Sequence, residues 1–201
     1  MNTSRRRFVL AFSLPLVLAA CGKLGSGTSD AASFKGVDIT GADYTYALPD
    51  QKGQVRTPAD FKGKVTAVFF GYTQCPDVCP TTLAELAQLK KSLGKNGDRL
   101  QVVFVTVDPE RDSPQVLNPY VGSFDPSFVA LRGTPEQTAA VAKSFKVFYA
   151  KSPGNSPDSY TIDHTAGTYL FDASGRVRLF ERYGGTPDVM ESDVKTLLAA
   201  G

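Results

Sequence analysis

Val65-Thr66-Ala67-Val68-Phe69-Phe70-Gly71-Tyr72-Thr73-Gln74-Cys75-Pro76-Asp77-Val78-Cys79-Pro80 is the stretch on which the reading of this chain turns. Its first six residues form a nearly continuous apolar run rich in β-branched and aromatic side chains, the pattern of a central strand covered on both faces. From Pro80 onward Leu83, Leu86, Leu89 and Leu93 recur at steps of three and four until Gly94, which predicts an amphipathic helix with a glycine stop. Pro80 suits the first turn of such a helix. Two cysteines therefore stand where a buried strand runs straight into a helix.

Working outward, Leu100 to Val107 reads as a second buried strand and closes a parallel βαβ unit. Helices are expected over about 114–122 and 134–145. A polar loop from Lys151 to Tyr160, containing Pro and Gly, leads through Asp163-His164-Thr165 to a strand at Thr168 to Asp172. The turn Ala173-Ser174-Gly175 joins it to a partner strand at Val177 to Tyr183, and Thr186 with Pro187 opens a C-terminal helix. Upstream, residues 44–56 read as a hairpin around the Pro49-Asp50-Gln51-Lys52-Gly53 turn, followed by a short turn at Thr57-Pro58-Ala59-Asp60. The order is hairpin, βαβ, further helix, then antiparallel ββα. That is an α/β chain in thioredoxin-like order, with an added N-terminal β-hairpin and an inserted helix.

The chain has 201 residues, 42% of them hydrophobic, with no repeats, so one ordinary core and one domain are expected. Its formal charge of +2 is concentrated at one end: Arg5, Arg6 and Arg7 precede a short apolar run from Phe8 to Ala20. That run is shorter than the roughly 20 residues that cross a bilayer as a helix and contains Pro15, so it reads as a cleaved targeting segment. Leu18-Ala19-Ala20-Cys21-Gly22 resembles the bacterial lipoprotein cleavage box, in which Cys21 is acylated and becomes the new N-terminus. Ser4-Arg5-Arg6-Arg7-Phe8-Val9-Leu10 also resembles the twin-arginine export signal. The expected division is a signal peptide over 1–20, a Gly/Ser-rich flexible tether over 21–33 and one folded domain over 34–201. Removal of 1–20 deletes three Arg and no acid from 22 basic and 20 acidic residues. The remaining 19 against 20 gives no basic balance that would suggest nucleic acid.

After such cleavage only Cys75 and Cys79 remain in the domain. Residues four apart in a helical first turn share a face, so the sulfurs are placed to bridge each other or to share a metal ion. A helix N-terminus beside Cys79 favours its thiolate. As a structural staple the pair is weak, because so short a loop removes little unfolded-chain entropy. Thiol–disulfide exchange and soft-metal binding remain. A thioredoxin-type enzyme usually has two residues between its cysteines, and here there are three. His164 is the only histidine. It follows a long loop, precedes an expected strand and, in a thioredoxin-like order, lies beside the cysteine loop where a cis-proline is usual. Two sulfurs and one imidazole suit Cu(I), with room for Cu(II) and an added oxygen ligand. Structural zinc would usually want a fourth Cys or His, and none remains. Asp163 is a candidate acceptor for orienting the imidazole.

The run from Tyr72 to Pro80 resembles the copper-binding signature of the Sco/SenC family. The similarity extends to Val107-Asp108-Pro109-Glu110-Arg111-Asp112 and to Asp163-His164-Thr165, and so covers about residues 40–200. This resemblance implies a thioredoxin-like fold with one copper ion held by Cys75, Cys79 and His164. It also implies a part in maturing the binuclear copper centre of cytochrome c oxidase subunit II, with another periplasmic protein as copper donor. Many members are tethered by a transmembrane helix, whereas this chain has Cys21 for a lipid anchor. Either anchor places the domain in the bacterial cell envelope, facing the periplasm or the exterior.

The competing reading is a thiol–disulfide reductase that keeps the cysteines of subunit II reduced. Cys75 and Cys79 serve both readings, while only copper binding needs His164. A peroxide-reducing enzyme fits poorly, because Pro76 stands where a peroxiredoxin has its threonine. Copper binding needs the dithiol and an oxidising exterior favours the disulfide, so a membrane-tethered thiol reductant is an expected partner. The charged stretch Asp108-Pro109-Glu110-Arg111-Asp112 reads as a strand end, a proline turn and the start of the next helix, with no role in the site.

Overall fold

The computed structural model describes residues 34–154, 156 and 159–201. The expected signal peptide and tether, with Cys21, lie outside the described residues. In chain order the strands and helices are β1 (Val37–Asp38), β2 (Leu48–Pro49), β3 (Val55–Arg56), β4 (Val65–Gly71), α1 (Val78–Ser92), β5 (Leu100–Thr106), α2 (Pro114–Gly122), β6 (Val129–Leu131), α3 (Pro135–Ser144), β7 (Tyr149–Pro153), β8 (Tyr160–His164), β9 (Gly167–Phe171), β10 (Val177–Arg182) and α4 (Pro187–Ala200). Short 3₁₀ turns cover Pro58–Phe61 and Gly94–Arg99.

Six strands form the main sheet in the order β1-β10-β9-β4-β5-β6. β4 and β5 run parallel in the register Val65↔Leu100 to Gly71↔Thr106, and β6 continues the parallel set. β9 pairs antiparallel to β4, and β10 and β1 follow antiparallel beyond it. Every residue of β4, β5 and β9 is buried. That burial explains their unbroken apolar sequence: strands covered on both faces have no solvent side to mark with polar residues. The α/β class, the βαβ unit, the hairpin β9–β10 and the C-terminal helix agree with the order read from the sequence.

One face of the sheet is filled by aromatic rings. Phe145, just past α3, meets Phe70 of β4 and Tyr169 of β9 at ring-centroid distances of 5.1 Å each. Tyr44 and Tyr46 pack onto the same cluster, so the N-terminal extension closes the core on that side. On the opposite face α1 lies beside α4.

Two elements were not expected. β7 and β8 pair antiparallel from Tyr149↔His164 to Pro153↔Tyr160 as a separate two-stranded hairpin, so Lys151 to Pro153 and Tyr160, expected as loop, are strand. Only Ile162 of its ten residues is buried, and Ala150-Lys151-Ser152-Pro153 carries none of the apolar alternation by which a strand is recognised. The second, β6, is a three-residue edge strand, too short for any period to show. The early hairpin is also tighter than expected. Only Leu48–Pro49 and Val55–Arg56 pair, and an Asp50–Leu131 bridge joins them to β6.

Candidate metal centre

β4 delivers its last residue, Gly71, to the floor of the site. A Cβ there would lie 2.7 Å from the Cys79 sulfur and 2.9 Å from the Phe104 ring, so only glycine leaves room for the sulfur to pack against the strand end. The chain then turns, with the Cys75 N–H donating to the Tyr72 carbonyl at 3.3 Å, and enters α1 at Val78. Cys79 is fully buried in the first turn of α1, while Cys75 is half-exposed in the loop before it. No disulfide joins the two cysteines in this structure.

The helix N-terminus acts on the cysteine other than the one expected. The Cys79 backbone N–H donates to the Cys75 sulfur at 3.3 Å, so the amide that opens α1 serves Cys75. The Cys79 side chain, the His164 ring and the Cys79 and Asp77 amides hold Cys75 down to a pKa of about 4, the bond from Cys79 contributing most. Cys79 moves the other way, because it is the proton donor to Cys75 and is buried as well. The pair is therefore one thiolate, Cys75, and one thiol, Cys79.

His164 ends β8, directly opposite Tyr149 of β7. Its Nε2 lies 3.4 Å from the Cys79 sulfur. Its Nδ1 lies 3.1 Å from the Thr165 carbonyl, a contact that turns Nε2 toward the sulfurs. Asp163 does not take the orienting role considered for it. Side chains alternate along a strand, and its carboxylate accepts from the Ser152 hydroxyl at 2.6 Å across the hairpin. The Tyr72 and Phe69 rings meet the imidazole edge-on, at centroid distances of 6.0 and 6.2 Å.

The two sulfurs and one ring nitrogen all lie within 4.8 Å of one another. Metal–sulfur bonds of about 2.3 Å and metal–nitrogen bonds of about 2.0 Å place donors of one ion roughly 3.5–4 Å apart. The triad thus needs only small adjustment to hold one ion, and its soft donors fit copper. Among the described residues no other group of three or more His, Cys, Asp or Glu is placed to hold a metal. Two of the three donors, Cys75 and His164, line a shallow open concavity of about 330 Å³ with Tyr72, Pro76, Asp77, Val78 and Ala166, so the site is reachable from outside, while Cys79 lies buried behind them. A larger cavity of about 480 Å³ lies elsewhere, between α1 and the start of α4, and contains none of the three donors.

The charged stretch that was given no role turns out to brace this site. Asp112 is fully buried and accepts from the Thr73 amide at 3.1 Å, from the Thr73 hydroxyl and from the Thr106 hydroxyl. It thereby pins the residue two before Cys75 to the end of β5. Burial pushes its carboxyl above the usual carboxylate range, against the pull of these bonds. Asp108, also buried, accepts from the Tyr160 hydroxyl at 2.9 Å and pairs with the Arg111 guanidinium. On the hairpin side, the Ile162 N–H donates to the Tyr72 hydroxyl at 3.1 Å. The visible signal was five consecutive turn-forming and charged residues. What they bond to is set by the tertiary fold, which no local pattern encodes.

The SCO1/SenC family matches this chain over residues 37–199. The SCO2-like protein of Rickettsia felis is 40% identical over 132 residues, covering 65% of this chain and 64% of that protein; the chain thus spans somewhat less than two thirds of that relative. The structure of Bradyrhizobium japonicum ScoI with copper bound is similar at TM-score 0.69 and 42% identity, covering 77% of this chain and 98% of that one. A SCO1/SenC family lipoprotein from Bacillus anthracis is similar at TM-score 0.69 and 25% identity, covering 82% of this chain and 99% of that one. With three soft donors gathered at the end of β4 and this match across most of its length, the chain belongs to the SCO1/SenC family.

Proposed function

We propose that the protein is a copper metallochaperone, with copper as its cargo, held by Cys75, Cys79 and His164 and delivered to the binuclear copper centre of cytochrome c oxidase subunit II. The single observation that carries this reading is the gathering of two sulfurs and one imidazole nitrogen within 4.8 Å, with Cys75 and His164 lining an open concavity at the surface. A three-donor site without a closed shell suits an ion that must arrive and leave, because an incoming ligand can attach before an outgoing one lets go. Cys75 is already a thiolate and half-exposed, so it is the donor placed to meet a partner's copper first.

Geography follows the same reading. Residues 1–20 are removed, Cys21 is acylated and residues 21–33 tether the domain of 34–201 to the outer side of a bacterial membrane. The kinship with a Bacillus anthracis family member described as a lipoprotein supports this. Among the described residues no helix is long and apolar enough to cross a membrane. Another periplasmic protein supplies the copper, and a membrane-tethered thiol reductant keeps the cysteines reduced.

One observation favours the second reading, a thiol–disulfide reductase for the cysteines of subunit II. A half-exposed thiolate with a buried thiol beside it is also the arrangement of an attacking and a resolving cysteine. Cu(I) titration of the reduced protein against a chromophoric chelator, with Cys75→Ser, Cys79→Ser and His164→Ala variants, separates the two. One tightly held equivalent that each substitution abolishes or greatly weakens supports the metallochaperone. Tight binding that ignores His164, or a His164→Ala strain with full oxidase activity, moves the assignment to the reductase.

A further inference from the structure

Arg111 lies between the two arms of the site and is bonded to both. Its Nη1 donates to the Gln74 side-chain carbonyl at 3.0 Å, one residue before Cys75, and to the Tyr160 backbone carbonyl at 2.9 Å, at the start of β8. Its guanidinium stacks on the Tyr160 ring at 3.5 Å and stands 5.7 Å from the centre of the Tyr72 ring. Its Nε donates to Asp108, which in turn accepts from the Tyr160 hydroxyl. Tyr72 completes the circuit, holding the Ile162 N–H through its hydroxyl and meeting the His164 ring edge-on.

The hairpin needs such an attachment. β7 and β8 form a two-stranded sheet of their own, outside the six-stranded one, and two strands alone are marginally stable in water. Cys79 sits in the rigid core, whereas His164 rides on this separate ribbon. The separation of imidazole from sulfur therefore depends on what fastens the ribbon to the cysteine loop, and the planar guanidinium makes that fastening with three partners at once.

We propose that Arg111 is the positioning residue that sets the placement of His164 relative to Cys75 and Cys79, and through it the affinity for copper. The proposal rests on the three-donor reading above. Arg111 touches none of the three donor atoms; it acts by clamping the hairpin onto the Gln74 loop. Lysine keeps the charge beside Asp108 but cannot stack flat on Tyr160 while forking to two carbonyls.

The test is Cu(I) affinity of the reduced protein for wild type, Arg111→Lys and Gln74→Ala, each alone and combined with His164→Ala. Gln74 is exposed, so its loss severs one arm of the clamp without disturbing the core. Loss of a group that orients a metal ligand costs about 10- to 100-fold in affinity, which is the fall expected for Arg111→Lys, with a smaller fall for Gln74→Ala. In the His164→Ala background both effects collapse to within about twofold, because the residue they act through is gone. Wild-type affinity in both single variants, or equal losses in both backgrounds, overturns the proposal.

A copper-free readout separates this proposal from the three-donor reading. In the reduced apoprotein the nuclear Overhauser contact between the His164 and Tyr72 rings is expected in wild type and expected to be lost in Arg111→Lys. If His164→Ala leaves copper affinity unchanged, the three-donor reading fails. The ring contact then still decides whether Arg111 places His164: its loss upholds the clamp and its persistence overturns it.

Discussion

Two cysteines four residues apart share their protons unequally because they sit in different surroundings. Cys75 is half-exposed and receives a sulfhydryl, an imidazole and two amides, while Cys79 is buried under Gly71 and gives its own proton away. Cys75 is thus the nucleophile of the pair, with a pKa of about 4 against an ordinary thiol value of 9.0. Iodoacetamide should label Cys75 far ahead of Cys79 in the reduced protein, at a rate that is flat through neutral pH and falls only near pH 4. The Cys79→Ala variant removes the largest of the bonds to Cys75, so its labelling midpoint should move upward; peptide mapping by mass spectrometry across a pH series reads both. Equal labelling of the two sulfurs with a midpoint near 9 would contradict the asymmetry. Asp112 supports the same loop from beneath. Asp112→Ala leaves the Thr73 amide and two hydroxyls without their acceptor, and a buried donor left unpaired costs about 1–3 kcal/mol. A loss of at least about 2 kcal/mol in urea denaturation is expected, while a loss below about 0.5 kcal/mol would show that water replaces the carboxylate.

Among the elements, β4 and α1 hold the cysteines and the β7–β8 hairpin holds the histidine, and the two parts were not equally legible. Strand, cysteine loop and helix could be read because their signals are local: a buried apolar run, then leucines at helical spacing from Leu83 to Leu93. The candidate ligands Cys75, Cys79 and His164 were named from residue type and chain order, and the fold gathers all three. Much of the hairpin beneath His164 was read as loop because only one of its residues, Ile162, is buried. The brace of Asp108, Arg111 and Asp112 was passed over because a buried, bonded carboxylate has the same letter as a solvated one. Gly71 belongs to the legible part only in hindsight, since a glycine ending a strand usually reads as punctuation. Gly71→Ala drives a methyl group to 2.7 Å from the Cys79 sulfur. Overpacking of this kind costs about 1–3 kcal/mol, and the sulfur is the atom able to yield. The variant should remain folded, lose stability by that order in chemical denaturation and bind Cu(I) more weakly. Unchanged copper affinity would mean that the strain is relieved through Phe104 instead.

The molecule as a whole stores a second pair of acids outside the copper triad, where the chain enters the sheet. Asp193 of α4 is fully buried and accepts from the amides of Lys35 and Gly36, at 3.0 and 2.7 Å, fastening the segment just before β1 to the last helix. Glu181 of β10, only 5% exposed, faces the same point; a Cβ on Gly36 would strike its carboxyl oxygen at 2.2 Å. Burial first, and then the neighbouring Asp193, raise the Glu181 carboxyl to a pKa of about 7 from 4.5. A carboxyl whose folded pKa is raised is favoured in its protonated form, so its contribution is complete below pH 4.5 and is lost as pH climbs to about 7. At 1.36 kcal/mol for each unit of pKa difference, the loss amounts to at most about 3 kcal/mol. Glu181→Gln cannot ionise, keeps the shape and offers Asp193 an N–H donor. It should therefore flatten this part of the stability curve, gaining little over wild type at pH 4.5 and most at pH 8. Urea midpoints of both proteins across that range decide it. Parallel curves would show that Glu181 titrates normally and that the latch at the root of the domain is insensitive to pH.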